Sequence, residues 1–447
     1  MPAWALKSAG NNELPASMLT AFKFRLYPTA KQEARLCGMV EAGRRLWNDA
    51  LAHRKMRWEE KRLSTSYSQQ CWILTAERAA DPILGELYSQ AGQDVLKRLD
   101  KAFEAFFHHQ AQYPNFKKFS ESGSFTYPQA YNGSVRLDEL RKRLFLSKVG
   151  NVRVIQHRPV SVDGKLKTCT VKREADGKWY AILTFETEEK TLRPIKTLIT
   201  SPVGIDLGLK SLIATSDGEK VEHPKFLRRA EKRLSRFQRR LSSTRKGSKN
   251  RARARHQLAV QHSKVASQRR DFNQKLSAKL VCEHDLVAFE DLEVRNMVRN
   301  HTLAKSISDS AWGQLRKFTE YKEARNGGLT VKVPPAYSTQ ECDFCGTLDK
   351  ISLRVSSFEC QGCHRILDRD FNAARIVLKR GLVLIQVGRD TPELKPVETR
   401  PLLPQTTEAA SPVKEAGTIR DGRHASHTNA RRWKPTNSFV GGCHISN

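Results

Sequence analysis

The chain has 447 residues, with 78 Lys+Arg against 47 Asp+Glu, a formal net charge of +31 and a pI near 10.0. Such a surplus points to a polyanion, because each phosphate neutralised releases condensed counterions, and the length accommodates about two to four domains with ample core. No apolar run is long enough to span a bilayer, no basic helix carries a bulky apolar face, and nine scattered or paired cysteines do not form a disulfide framework.

Residues Met1 to Ser17 lack the continuous apolar core of a signal peptide and are expected to be an extension. Patterning begins near Met18. Thr20 to Leu26 alternates apolar and polar residues, which predicts a strand ended by Pro28. From Ala30 to about His109 the period is helical: Leu36, Val40, Leu46, Trp47 and Leu51 mark one apolar face, and Val95, Leu96, Leu99 and Phe103 another. Trp47 and Trp72 read as core residues. The strand period returns from Phe125 to about Glu188, with Asp176-Gly177 as a hairpin turn. This pattern predicts a β-barrel interrupted by a helical insertion.

Val203 to Leu207 reads as a short buried strand, with Ser211 to Thr215 its hairpin partner. Phe226 to His262 is helical and overwhelmingly basic, split by SSTRKGSKN into a hairpin. Acidic partners four residues away are too scarce to neutralise it, so it is expected to bind nucleic acid. The candidate contacts there are Arg228, Arg229, Lys232, Arg233, Arg236, Arg239, Arg240, Lys246, Lys249 and Arg251. Arg44, Arg45, Arg54 and Lys55 on the first helices are further candidates. A separate helix is expected over Lys264 to Cys282, a strand over Asp285 to Phe289, a helix over Ile307 to Lys322 and a strand over Leu329 to Val333. After about Ile385 the periodicity stops, and a Pro-, Thr- and Ser-rich tail reads as disordered.

Three acidic segments stand far apart: VGIDLGL with Asp206, LVAFEDL with Glu290, and LDRDFNAARIVL with Asp370. Each puts a carboxylate where a buried strand meets a turn or a helix starts. Carboxylates in such places can converge in space and bind hard divalent cations, Mg²⁺ rather than Zn²⁺. Two such ions about 4 Å apart drive phosphodiester hydrolysis. In that scheme Asp206 bridges both ions, and Glu290 and Asp370 each complete one shell. Gly208 would let the backbone approach a metal-bound phosphate. Asp217, Asp285, Asp291 and Asp368 read instead as turn or cap residues, and Asn372 either assists near the metal or stabilises the helix start.

Cys342-x-x-Cys345 and Cys360-x-x-Cys363 are two knuckles able to present four thiolates to one tetrahedral Zn²⁺. A redox role for either pair is weakened by their occurring together. The ribbon is expected to be structural and to clamp the segment bearing Asp370.

The strings VGIDLGLKSLIATSDGE, RRLSSTRKGSKNRARARHQLA, FEDLEVRNM, YSTQECDFCG and DRDFNAARIVL, in this order, resemble the TnpB family of transposon-encoded RNA-guided nucleases related to type V CRISPR effectors. The resemblance runs from about Met18 to Leu378. It implies a wedge β-barrel over 18–29 and 113–197 and a helical recognition insertion over 30–112. It also implies an RNase-H-like (RuvC) domain over 198–337 and 364–384, with a basic helical insertion at 225–280 and a zinc ribbon at 338–363. The N-terminal extension, 1–17, and the tail, 385–447, complete an α+β multidomain chain.

The implied partners are a guide RNA (ωRNA) and double-stranded target DNA bearing a short adjacent motif. No membrane is implied, and the protein is expected to be monomeric within a cytoplasmic, nucleoid-associated ribonucleoprotein. The implied RuvC ligands are Asp206, Glu290 and Asp370 for two Mg²⁺ ions, with Zn²⁺ on the four cysteines. A repressor that binds without cutting would lack acidic residues in these motifs, and all three are present; a compact CRISPR effector is the other alternative. Gln274 and His364 depart from the family, which often has His and Gly there.

Overall fold

The computed structural model describes residues 17–119, 123–160, 164–188, 199–352 and 355–390. The expected N-terminal extension (save Ser17) and most of the expected tail lie outside these residues. β1 (Ser17–Tyr27) leads into four helices, α1 (Ala30–Lys61), α2 (Tyr67–Ala80), α3 (Pro82–Glu86) and α4 (Ser89–Phe107). Thr29 with Gln32 and Ser66 with Gln69 form capping boxes, which fix the starts of α1 and α2. Six strands follow: β2 (Gly123–Tyr127), β3 (Val135–Asp138), β4 (Arg143–Leu146), β5 (Gly150–Ile155), β6 (Gly164–Arg173) and β7 (Trp179–Glu188).

These strands and β1 form one antiparallel sheet in the order β2-β6-β7-β1-β5-β4-β3. β1 lies at its centre because its alternation buries Phe22, Phe24 and Leu26 together. The sheet curls but does not close by strand pairing: β2 and β3 are its two edges. Tyr127, at the end of β2, donates its hydroxyl to the Ser147 carbonyl at 2.8 Å and brings the two sides together. The expected barrel is therefore an open half-barrel.

The apolar faces of α1 and α4 meet as their spacing required, with Leu36, Leu51, Leu96 and Leu99 nearly inaccessible, in one core with the sheet. Trp47 is buried and donates Nε1–H to the Asn115 carbonyl at 3.1 Å. Trp72 is 77% exposed, against expectation. The buried residues of α2 are Gln70 and Leu74, and a residue two positions from each points to the opposite side of a helix.

The second half holds β8 (Pro202–Leu207), β9 (Ser211–Thr215), β10 (Lys220–Glu222), α5 (Phe226–Ser243), α6 (Lys249–Glu283), β11 (Leu286–Glu290), α7 (Val294–Met297), α8 (His301–Ser310), α9 (Trp312–Asn326) and β12 (Leu329–Val333). β13 (Ser357–Glu359), β14 (Ile366–Asp368) and α10 (Arg369–Asp390) complete it. The five-stranded sheet runs β10-β9-β8-β11-β12, with β8 to β10 an antiparallel meander and β11 parallel to both β8 and β12.

Val203 and Ile205 pack with Leu276 and Leu280 of α6 and Leu315 of α9. Gly204, between them in β8, faces the other way and meets α10. The sheet is thus sandwiched between helices.

Three helix boundaries differ from expectation. Residues 264–282 are not a separate helix but the second half of the 35-residue α6. The stretch 307–322 is two helices, broken at Ala311, whose backbone is left-handed at φ 52°. The helical period cannot reveal such a break, because one residue resets the axis without changing composition. α10 runs to Asp390, past the expected end near residue 384. Among the described residues no helix is long and apolar enough to cross a membrane.

Candidate active site and metal centre

Asp206 and Glu290 come together through strand register. Ile205 of β8 pairs with Phe289 of the parallel β11, so the next residue on each strand is a carboxylate at the C-terminal end of neighbouring parallel strands. Ligands of open α/β sheets commonly gather outside such strand ends. Both residues are buried, 9% and 4% exposed.

Asp370 arrives from the far end of the chain, in the first turn of α10, where the helix dipole favours a carboxylate. α10 reaches this position because it lies directly on β8. A Cβ at Gly204 would run into the Ala374 carbonyl oxygen. Gly208 has a similar local reason: a Cβ there would stand 2.6 Å from the Ser211 carbonyl oxygen across the β8–β9 hairpin. The hairpin by itself requires that glycine, without a phosphate nearby.

The electrostatics of the three residues are linked. Burial, then the charges of Glu290 and Asp370, push the Asp206 carboxyl up to about 8, against the opposing pull of Arg369 and Lys220. Glu290 is also raised, by burial, although it accepts a 2.5 Å hydrogen bond from Ser338 Oγ and feels Arg380. Asp370 is bracketed by Arg369, 3.2 Å from Oδ1, and by Lys220 Nζ, 3.2 Å from Oδ2. Three carboxylates, two of whose charges raise the third, Asp206, form a donor set of hard oxygens that suits a hard cation. Their oxygens are not drawn into one tight group, however. Among the described residues only the four cysteines have their ligand atoms all within 4.8 Å of one another.

Three of the other acidic residues make local contacts. Asp368 caps α10, accepting from the amides of Asp370 and Phe371, and it binds Lys220. Burial raises its carboxyl, but Lys220 and those amides outweigh burial and hold it below the usual range. Asp285 accepts from the amides of Thr200 and Ser201 and from the Thr200 hydroxyl. Asp291 pairs with Arg316 at 2.8 Å.

The cysteine cluster matches its spacing. Sγ atoms of Cys342 and Cys363 are 3.7 Å apart, and those of Cys345 and Cys360 are 3.5 Å apart. A tetrahedron with zinc–sulfur bonds of about 2.3 Å has edges of about 3.8 Å, close to these two separations, and all four thiols lie within 4.8 Å of one another. Each knuckle turns through a left-handed residue just after its second cysteine: Gly346 at φ 75° and His364 at φ 53°. His364 thus occupies a position that glycine adopts without a Cβ penalty.

The ribbon is fastened to α10 by Asn372. It is 2% exposed, accepts from the Asp343 amide at 2.9 Å and donates to the Glu341 carbonyl at 2.6 Å. Arg375 reaches the Asp343 carboxylate, and Lys379 donates to the Asp343 carbonyl. Asn372 thus acts as a clip between ribbon and helix.

The basic candidates divide. Arg228, Arg229, Lys232, Arg233, Arg236, Arg239, Arg240, Lys246 and Lys249 are exposed along α5, the loop after it and the start of α6. Arg251 is not a free contact: its guanidinium donates to the carbonyls of Leu241 and Thr244 and closes the end of α5 onto α6. Arg54 is likewise structural, with a side chain 9% exposed, bonded to Gln70 and Asp100 and stacked over Phe103. Arg44 pairs with Glu41 and reaches the Lys117 carbonyl, Arg45 lies 3.6 Å from Asp81, and Lys55 lies 3.7 Å from Glu59.

Sequence reasoning missed Lys220, which carries no motif. It also missed the role of Ser338, although that residue stands inside YSTQECDFCG.

Comparison with known proteins bears on the family of the chain. The OrfB family model of IS605 elements, described as a probable transposase, matches residues 184–301. The Cas12f1-like TNB domain matches 312–377. A model described as a helix-turn-helix domain matches 18–62, where the structure has β1 and the single unbroken α1.

A protein of Streptomyces pristinaespiralis named as an RNA-guided DNA endonuclease is 36% identical over 82% of this chain and 90% of its own length. InsQ of Escherichia coli K12, named likewise, is 32% identical over 86% of this chain and 97% of its own. In fold, the chain is similar to Cas12f1 in a cryo-EM complex with guide RNA and target DNA, with a TM-score of 0.51 and 12% identity over 81% of this chain and 99% of that one. The chain belongs to the TnpB family of RNA-guided DNA endonucleases associated with IS605-type elements.

Proposed function

We propose that this protein is an RNA-guided DNA endonuclease of a transposon that cuts both strands of its target at one RuvC site formed by Asp206, Glu290 and Asp370. The observation that carries this reading is that Asp206 and Glu290 stand at adjacent ends of parallel strands, with Asp370 in the first turn of α10 close enough for its charge, with that of Glu290, to raise Asp206. Divalent ions bound there supply a nucleophilic hydroxide at neutral pH and charge stabilisation for the leaving oxygen. Asp206, on the central strand, would hold the divalent ions together with Glu290 and Asp370. Ser338 holds the Glu290 carboxylate in place, and Asp370 stands in the first turn of α10.

In this reading the guide RNA is the family's ωRNA, and base pairing supplies sequence choice. The protein reads backbone shape and a short transposon-adjacent motif. The half-barrel acts as the wedge over 18–29 and 113–197, and α1 to α4 as the recognition insertion over 30–112. The five-stranded sheet and its helices form the RNase-H-like domain over 198–337 and 364–384. The exposed arginines and lysines of α5 and the start of α6 line the path of the heteroduplex or the RNA scaffold. Zinc on the four cysteines is structural, and the working particle is one protein chain with one RNA.

The test is purification with co-expressed RNA, sequencing of that RNA, and incubation with matched duplex and Mg²⁺. Asp206→Ala is expected to abolish cleavage and to spare duplex binding. Undiminished cutting by that variant would reject the assignment.

A further inference from the structure

β10 carries Lys220 to the edge of the carboxylate cluster. Its Nζ lies 2.9 and 2.8 Å from the two Oδ atoms of Asp368, 3.2 Å from Asp370 Oδ2 and 4.5 Å from the centre of the Phe371 ring. The side chain is 28% exposed, and two carboxylates and an aromatic face enclose its charge. An exposed lysine pair is weak because the chain must be immobilised and water screens the charge. Here the immobilisation is shared among three partners. One of them, Asp368, is itself fixed by its hydrogen bonds to the first amides of α10.

The charge of Lys220 acts on Asp206 as well, favouring its ionised form. The ammonium therefore occupies electrostatic ground that a divalent ion on Asp206 and Asp370 would also claim. Like charges a few Å apart in a partly buried pocket repel strongly. A cation drawn to Asp370 must displace the ammonium from Oδ2. Asp368 gives the displaced ammonium somewhere to stay.

We propose that Lys220 is a positioning residue and built-in counter-cation. It holds Asp370 when divalent ions are absent and competes with them for that carboxylate, so the balance between its two aspartates sets the site's metal requirement. The proposal rests on the nuclease reading above, and two substitutions of opposite sign test it. Lys220→Gln removes the competitor. Asp368→Asn keeps a good helix cap but removes the charge that draws Lys220 away from Asp370.

The full-length zinc-loaded chain is melted across a series of Mg²⁺ concentrations, and cleavage of matched duplex by the RNA complex is followed over the same series. Lys220→Gln is expected to reach half of its Mg²⁺-induced stabilisation, and half of its maximal cutting rate, at roughly tenfold lower Mg²⁺. Asp368→Asn is expected to need more Mg²⁺ than the parent, and Lys220→Arg to stay near it. A purely structural lysine would lower the melting temperature and leave the Mg²⁺ midpoint in place, which overturns the proposal, as does a midpoint that rises in Lys220→Gln. If Asp206→Asn still cuts, the nuclease reading itself falls. If Asp206→Asn is inactive and the Lys220→Gln midpoint is unmoved, only the competition is refuted.

Discussion

Asp206 bears the greatest electrostatic cost of the site. Its carboxyl is raised in the folded chain to about 8, well above the ordinary carboxylate value. Below the ordinary value both folded and unfolded forms are protonated, so stability is unaffected there. As pH rises through the window up to about 8, the unfolded chain ionises more readily, and metal-free stability falls. Asp206→Asn should therefore melt higher than the parent at pH 8, by about 1–3 kcal/mol, and the gap should shrink toward pH 5. Thermal melts of the Mg²⁺-free chain, its cysteine cluster left loaded, at both pH values check this, and a gap of opposite sign would mean that the burial is compensated in some other way. His364 offers a second residue-scale test. Its left-handed backbone costs a β-carbon-bearing residue about 1–2 kcal/mol. His364→Gly is expected to regain about 1 kcal/mol and to bind zinc at least as tightly, as read by competition with a colorimetric chelator.

Elements place these residues, and their contacts are less forgiving than the residues themselves. α10 brings Asp370 to the sheet only because β8 offers no side chain at Gly204. Gly204→Ala sets a methyl against the Ala374 carbonyl and should destabilise the domain by about 1–3 kcal/mol. Cleavage should fall further than stability does, because α10 must lift and takes Asp370 with it; urea titration and single-turnover cutting separate the two effects. The four-cysteine ribbon acts on the same helix through Asn372. Asn372→Leu leaves the Asp343 amide and the Glu341 carbonyl without that partner. It should reduce cutting roughly tenfold while four-cysteine zinc content stays at one ion per chain. Stripping zinc by a chelator should have the larger effect, since the ribbon then loses its organising ion.

Across the whole molecule, the half-barrel and the five-stranded sheet have separate cores. One link between them is the β6–β7 hairpin tip. Asp176, whose side chain is inaccessible, accepts from Ser263 Oγ of α6 at 2.9 Å and pairs with Lys178. Burial alone would raise its carboxyl, but Lys178 and Ser263 hold it below the usual carboxylate range. Asp176→Ala should loosen the docking of the hairpin on α6. Proteolysis near the tip should then accelerate, and cleavage should slow with little change in guide-RNA binding, because the half-barrel keeps its own core. Faster proteolysis without any loss of cutting would show that this link does not set the relative placement of the two sheets.

Sequence alone determined what depends on local chemistry. Alternation gave the strands of the half-barrel, Asp-Gly gave the β6–β7 turn, two knuckles gave the cysteine cluster, and the motif strings gave the family. These signals are legible because side-chain period, turn chemistry and ligand spacing are properties of short segments. Tertiary structure decided what depends on which distant segments meet. It put Trp72 in solvent, because α2 buries its other face. It diverted Arg54 and Arg251 to carbonyls and side chains, because an arginine fork bonds whatever acceptors packing brings near. It also set Lys220 between Asp368 and Asp370, 148 and 150 residues away along the chain. No local pattern encodes that proximity, since it follows from α10 crossing β8 at a glycine.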